Sequence, residues 1–225
     1  ESFYHGGASG DFDNDGDLDV LVTDAGRGKS AIFVNNNGVF NPTTQLINQN
    51  LMEGMYNAEF YDINKDGFLD IISGGHDWTY GNVNTYDNTP LIIFGDGIDY
   101  LNSETLRLPE SSISGQGIVT DFNFYDLDGD NIEEIILTRT GDNQTDSNNF
   151  YNGWSIQVLK KSGTNYTDQT NSFINNFYEP TGSWIRWGHI RDKDNDGKVE
   201  FFNTGYPNAL NYLEWELNAG FLSRQ

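Results

Sequence analysis

Four short apolar runs, Val20-Leu21-Val22, Ile71-Ile72, Ile135-Ile136-Leu137 and Phe201-Phe202, each follow a block rich in acidic residues. An extended segment precedes each block: Phe3 to Ser9, Tyr56 to Tyr61, Ile118 to Tyr125 and Trp184 to Ile190. Apolar runs of this length, bounded by Asp, Asn and Gly, predict strands, so each acidic block joins two strands. A third strand is predicted at Ala31 to Val34, Leu91 to Phe94, Ile156 to Leu159 and Tyr212 to Leu217. Each then meets a turn at Gly38, Gly97, Gly163 or Gly220, where glycine supplies a positive φ. A short fourth strand follows at Val39-Phe40, Ile98 to Leu101, Asn165-Tyr166 and Phe221-Leu222. No segment of about ten residues or more carries the helical period. Four strands around one recurring loop describe a blade, so the pattern predicts an all-β fold, a β-propeller of four-stranded blades. Residues 1–225 then form one β-propeller domain with blades at about 1–48, 49–110, 111–175 and 176–225. A double Greek-key sandwich would leave one shared loop per four strands without a reason.

The blocks align as DFDNDGDLD (Asp11 to Asp19), DINKDGFLD (Asp62 to Asp70), DLDGDNIEE (Asp126 to Glu134) and DKDNDGKVE (Asp192 to Glu200). Their starts lie 51, 64 and 66 residues apart. Positions 1, 3, 5 and 9 carry side-chain oxygen throughout: Asp11, Asp13, Asp15 and Asp19; Asp62, Asn64, Asp66 and Asp70; Asp126, Asp128, Asp130 and Glu134; Asp192, Asp194, Asp196 and Glu200. Position 6 is Gly16, Gly67, Asn131 or Gly197, residues that tolerate left-handed backbone. Hairpin turns need only one or two such residues, whereas a set of hard oxygen ligands suits Ca²⁺, which takes six to eight of them. Position 7 is expected to offer its backbone carbonyl, which explains why Asp17, Phe68, Ile132 and Lys198 share no side-chain chemistry. Position 12 lacks the Glu of an EF-hand, being Val22, Ser73, Leu137 and Asn203. About four Ca²⁺, one per repeat, are expected, and crowded carboxylates make the ion a condition of folding.

Charge narrows the partners. With 12 Lys and Arg against 34 Asp and Glu the net charge is −22, which repels nucleic-acid phosphates and anionic membranes. No apolar stretch approaches the roughly 20 residues that span a bilayer, so no direct membrane insertion is expected. The 14% of aromatic residues supply the core-forming material.

The motif D-x-D-x-D-G-x-x-D between the first two strands of a blade resembles the FG-GAP/VCBS repeat of integrin-like, calcium-binding β-propellers, over all four units. DFDNDGDLDVLV and DINKDGFLDIIS carry the likeness most closely; Gly129 with Asn131, and Glu134 and Glu200 at position 9, depart from it. The resemblance implies an extracellular or cell-surface protein, and a family that includes adhesins, lectin-like modules and some polysaccharide lyases. It implies fold and metal more strongly than activity.

From loop position 1 to the hairpin Gly the chain runs 27 and 28 residues in repeats 1 and 4 but 35 and 37 in repeats 2 and 3. The additional residues fall between second and third strands, in Gly74 to Pro90 and Gly141 to Trp154. In the resembled family the face opposite the calcium loops usually meets ligands, so His76, Trp78, Tyr80, Tyr86, Phe150, Tyr151 and Trp154, with Tyr206 from repeat 4, form the candidate ligand set. The leading expectation is a non-catalytic recognition or adhesion module for a glycan or an extracellular protein. The alternatives are a lyase-like enzyme, with His76 and Tyr80 or Tyr86 converging on a cation such as Arg139, or structural blades of a longer surface protein. No GxSxG motif and no Cys is present, and no catalytic residue stands out. Because a first strand opens the chain and a fourth ends it, either a closed four-bladed ring or part of a larger propeller is expected, with further blades or domains of the same polypeptide as partners.

Overall fold

A computed structural model describes residues 3–25, 28–76, 89–142, 150–174, 178–183, 188–192, 199–203, 212–216 and 220–224. The chain divides into two compact units, Glu1–Glu110 and Ser111–Gln225. Its described strands are antiparallel and form four sheets, two in each unit.

In the first unit β1 (Tyr4–Gly10), β2 (Asp19–Asp24), β3 (Ala31–Asn36) and β4 (Val39–Thr43) form one meander in chain order. A second meander holds β5 (Asn57–Tyr61), β6 (Asp70–Gly74), β7 (Leu91–Ile93) and β8 (Thr105–Arg107), and the one-turn helix α1 (Gln49–Met52) lies between the two. β6 and β7 consist wholly of buried residues, as expected of central strands covered on both faces, whereas β4 at the rim leaves Val39 and Phe40 exposed. Gly6 of β1 is required by packing, since a Cβ there would lie 2.5 Å from the Tyr56 carbonyl oxygen, and Gly10 packs against the Leu69 side chain, whose Cδ1 would lie 2.5 Å from an added Cβ. The two meanders thereby close over a shared core of Phe12, Leu21, Ile32, Met52, Met55, Phe60, Ile71, Leu91 and Tyr100. Phe12 and Phe60 stack at 6.5 Å, and the buried Tyr100 hydroxyl donates to the Leu69 carbonyl at 2.7 Å.

In the second unit β9 (Ile118–Tyr125), β10 (Glu134–Asp142), β11 (Phe150–Ser162) and β12 (Asn165–Asp168) pair in sequence. After α2 (Thr170–Phe173), β13 (Tyr178–Ser183) pairs with the first half of β11, while β12 pairs with its second half. The remaining meander comprises β14 (Gly188–Arg191), β15 (Glu200–Asn203), β16 (Tyr212–Glu216) and β17 (Gly220–Arg224). The core here gathers Leu127, Ile136, Trp154, Ile156, Val158, Phe173, Ile174, Val199 and Phe201. The Ile190 N–H donates to Asn123 Oδ1 at 3.2 Å, tying β14 to β9.

Two expectations are corrected. The fourth strand of repeat 2 is β8, not Ile98 to Leu101. That segment is a turn, because Asp96 accepts the N–H groups of Ile98 and Asp99, Asp99 accepts that of Leu101, and Tyr100 is drawn into the core. The insertion of repeat 3 is partly strand, since β10 and β11 stay paired out to Asp142 opposite Phe150. In repeat 4 the first strand is described from Gly188 onward, and β13 adds a fifth strand to the preceding sheet that the sequence pattern does not announce.

Candidate metal centres

The three loops whose residues are described throughout are built by the same hydrogen bonds. The position-1 carboxylate accepts two backbone N–H groups from positions 5 and 6. Asp11 takes those of Asp15 and Gly16, both at 3.0 Å; Asp62 takes Asp66 at 3.0 Å and Gly67 at 2.9 Å; Asp126 takes Asp130 at 3.1 Å and Asn131 at 2.8 Å. Position 5 accepts from position 7: Asp15 from Asp17 at 2.9 Å, Asp66 from Phe68 at 2.9 Å, Asp130 from Ile132 at 2.8 Å. The buried position-9 carboxylate reaches back to position 2, so Asp19 holds the Phe12 N–H at 3.1 Å, Asp70 that of Ile63 at 3.0 Å, and Glu134 that of Leu127 at 2.8 Å. Backbone donors thus hold the carboxylates at positions 1, 5 and 9 in fixed orientations.

Two left-handed residues make the wrap possible, at positions 4 and 6. They are Asn14 (φ 58°) and Gly16 (φ 96°), Lys65 (φ 63°) and Gly67 (φ 92°), and Gly129 (φ 76°) and Asn131 (φ 65°). The apparent departure of the third loop is therefore an exchange: Asn and Gly swap places between two positions that both need this conformation. Position 7 turns its side chain away toward the β3–β4 or β7–β8 connection. Asp17 Oδ2 accepts the Asn37 N–H at 2.6 Å, and the Phe68 ring lies over Gly97, where a Cβ would sit 2.7 Å from it.

The first loop suits a hard divalent cation. Ligand oxygens of Asp11, Asp13 and Asp15 lie within 4.8 Å of one another. Asp13 Oδ1 is shielded from solvent and has no hydrogen-bond partner among the described residues, which is costly unless a cation supplies the missing interaction. Burial, reinforced by the charges of Asp19, Asp15 and Asp11, pushes the Asp13 carboxyl above the ordinary range. Asp70 rises to about 6, chiefly through burial, with Asp66 and Asp62 adding to it while the Gly95 and Ile63 N–H groups oppose it. Carboxyls pushed up in this way are poised to be ionised by a metal.

The third loop differs. Asp126, Asp128 and Glu134 converge in the same way, but Lys160 Nζ stands among the carboxylates, 2.6 Å from Asp128, 2.7 Å from Asp130 and 3.1 Å from Glu134. Burial works against the ammonium, and these hydrogen bonds outweigh it, holding the Lys160 pKa above its usual value; Asp130, bonded to Lys160, is correspondingly lowered. Glu134 stays raised, mainly by burial. In the fourth loop Asp192 and the buried Glu200 are placed at the ends, while Asp194, Asp196 and Lys198 lie outside the described residues.

The candidate ligand set is described only in part. Trp154 is buried and stacks on Phe201 at 6.1 Å, so it is a core residue; the exposure expected of it is corrected. His76 is also buried, edge-on to Tyr56 at 4.8 Å, and burial, then His5, lowers its pKa to about 4. Tyr151 is half-buried with φ 58° and belongs to the second unit, while His76 belongs to the first. Phe150 opens β11; Trp78, Tyr80, Tyr86 and Tyr206 lie outside the described residues. Arg139, named for a lyase-like arrangement, is fully buried and donates from Nε to Gln157 at 2.7 Å and from Nη1 to the Gly117 carbonyl at 3.3 Å.

Lys160 and the position-4 residues are what sequence reasoning missed. Position 4 reads Asn, Lys, Gly, Asn, a set with one unexpected member, so its signal was weak. Lys160 becomes visible only with the β10–β11 register, which sets Ile135 against Leu159 and hence Glu134 against Lys160.

Among the described residues no helix is long and apolar enough to cross a membrane. No curated protein matches the chain. Residues 11–73, which run from the first loop through the second into β6, match the FG-GAP-like repeat family, and over just over a quarter of its length this chain is similar to that repeat.

Proposed function

We propose that this protein is a calcium-stabilised, extracellular recognition or adhesion module of the propeller type. The observation that carries the reading is the loop itself: one set of backbone-to-carboxylate bonds recurs in three repeats and, in the first, leaves Asp13 Oδ1 with no hydrogen-bond partner among the described residues. The FG-GAP-like match over residues 11–73 supports an adhesion-type module. In the first repeat Asp11, Asp13, Asp15 and Asp19 with the Asp17 carbonyl would hold the ion, and in the second Asp62, Asn64, Asp66 and Asp70 with the Phe68 carbonyl. Bound calcium would cancel the mutual repulsion of these groups and fix the turn between the first two strands of a blade. Extracellular calcium is millimolar, matching the weak affinities of about 10⁻⁴ to 10⁻³ M at which extracellular modules work. Each filled site then contributes about 1 kcal/mol by mass action.

A glycan or an extracellular protein is the partner we assign, met through the connections between second and third strands in repeats 2 and 3. Trp154 is no part of that surface. The test of the calcium reading is thermal unfolding of the full chain in EGTA and in 2 mM CaCl₂. A higher melting temperature with calcium supports it, and identical curves overturn it.

A further inference from the structure

The third repeat departs from its siblings in two linked ways. In the first two loops position 9 is Asp, and its second oxygen is taken by a backbone N–H at or just beyond the end of the third strand: Asn35 to Asp19 at 2.8 Å, Gly95 to Asp70 at 2.9 Å. In the third loop position 9 is the longer Glu134, and its second oxygen meets the Lys160 ammonium. The strand registers show why a lysine is available only here. Val20 pairs with Phe33, Ile71 with Ile93 and Ile135 with Leu159, so the residue across from position 9 is Val34, Phe94 and Lys160 in turn; in the fourth meander Glu200 faces Glu214. Two of those positions are apolar, one is acidic and one carries a positive charge aimed into its own loop.

The Lys160 head group contacts side chains at positions 3, 5 and 9, three of the four carboxylates that would ligate an ion. Its distances of 2.6 to 3.1 Å are those of charge-assisted hydrogen bonds, and an ion ligated by the same oxygens would lie within contact distance of the ammonium. Cation and ammonium therefore exclude one another. From this we infer that the third loop is a lysine-filled counterpart of the calcium loops: Lys160 supplies in cis the positive charge that the other repeats take from solution, so that this repeat is closed without metal. The inference rests on the calcium reading for the remaining loops. It lowers the expected number of strong calcium sites from four to three and gives the second unit a metal-independent anchor. An ion must displace Lys160 from three carboxylate contacts, which weakens binding there by about tenfold or more.

The experiment is calcium titration calorimetry on the EGTA-stripped, desalted full chain. The parent should bind three Ca²⁺, and Lys160→Met, which keeps the apolar stem, should bind four, or tighten one site at least tenfold. Val34→Lys, placing an ammonium at the matching position of the first repeat, should remove one site. Urea unfolding in EGTA gives the second measurement, in which Lys160→Met should have a lower midpoint than the parent and recover it in 2 mM CaCl₂. Equal stoichiometry and affinity in parent and Lys160→Met overturn the inference and leave the calcium reading standing. No calcium binding by either protein overturns both. Should Lys160→Met not fold without metal, Val34→Lys decides alone: an undiminished number of sites overturns the inference.

Discussion

Replacing Asp70 by Asn removes one charge from the second loop without changing its shape. In the metal-free protein the Asp70 carboxyl is buried and its pKa stands at about 6 against an ordinary 3.8. At 1.36 kcal/mol per pH unit this displacement corresponds to about 3 kcal/mol, and water around the exposed loop screens it to about half that figure. The sign follows from the raised value. The folded chain holds this proton more tightly than the unfolded chain, so the stabilisation is present below pH 4 and is lost as pH rises through 6. Asn cannot titrate, and it leaves either the Ile63 or the Gly95 N–H without an acceptor, a constant offset of about 1 to 3 kcal/mol. Urea unfolding of parent and Asp70→Asn in EGTA, from pH 4 to pH 7.5, should therefore show the parent losing about 1.5 kcal/mol relative to the variant as pH rises. Saturating calcium favours the ionised carboxylate and should reverse the slope. A pH-independent difference in EGTA, or one slope common to both conditions, would refute the account of Asp70 as a destabilised ligand.

Gly67→Ala should cost about 1 kcal/mol through φ 92° alone, because nothing lies within 4 Å of the added Cβ, and chemical denaturation in EGTA measures it. Trp154→Ala should destabilise the chain by about 3 to 5 kcal/mol, as removal of a large core ring does; a loss below about 1 kcal/mol would contradict its placement against Phe201. His76 is held neutral, with a pKa lowered to about 4. Its contribution is present above pH 6.5 and lost as pH falls toward 4, so the parent should lose stability relative to His76→Gln over that window, a trend opposite in sign to that of Asp70.

The loops and the strands beside them were legible because one requirement left two marks in the chain. A turn wound around a charge needs carboxylates at alternate positions and a left-handed residue at position 6, and both are residue identities. The third strands were legible for the same kind of reason, being short apolar runs ended by glycines such as Gly38, whose φ is 89°. What escaped depends on distant partners. Ile98 to Leu101 has strand-forming residues, yet Asp96 and Asp99 capture its N–H groups and the core captures Tyr100. β13 pairs with the first half of β11, along the edge that β12 leaves unoccupied, so its pairing depends on the length of β11 rather than on the residues of β13. Trp154 reads as a binding aromatic when it is counted within an insertion, and as a core residue once β11 is seen to include it. Lys160 was hidden because nothing local distinguishes an exposed strand lysine from one aimed into an acidic loop.

The link from the position-9 carboxylate to the position-2 N–H spans only seven residues in each described loop, from Asp19 to Phe12, Asp70 to Ile63 and Glu134 to Leu127. Chain segments near this size close in about 10 to 100 ns, long before sheets pair across distant segments. The loops are therefore expected to be among the earliest structure to form, which double-jump folding kinetics of loop variants would test. With the loops formed early, a cation captured there is expected to raise the folding rate more than it lowers the unfolding rate. How long a folded molecule persists is governed instead by late contacts between remote segments, such as the bridge of Ile47 to Tyr100 and the stack of Trp154 on Phe201. Assembly and endurance are then expected to be tuned by different residues: the acidic loops set how readily a chain becomes native, and the aromatic core sets how long it stays so.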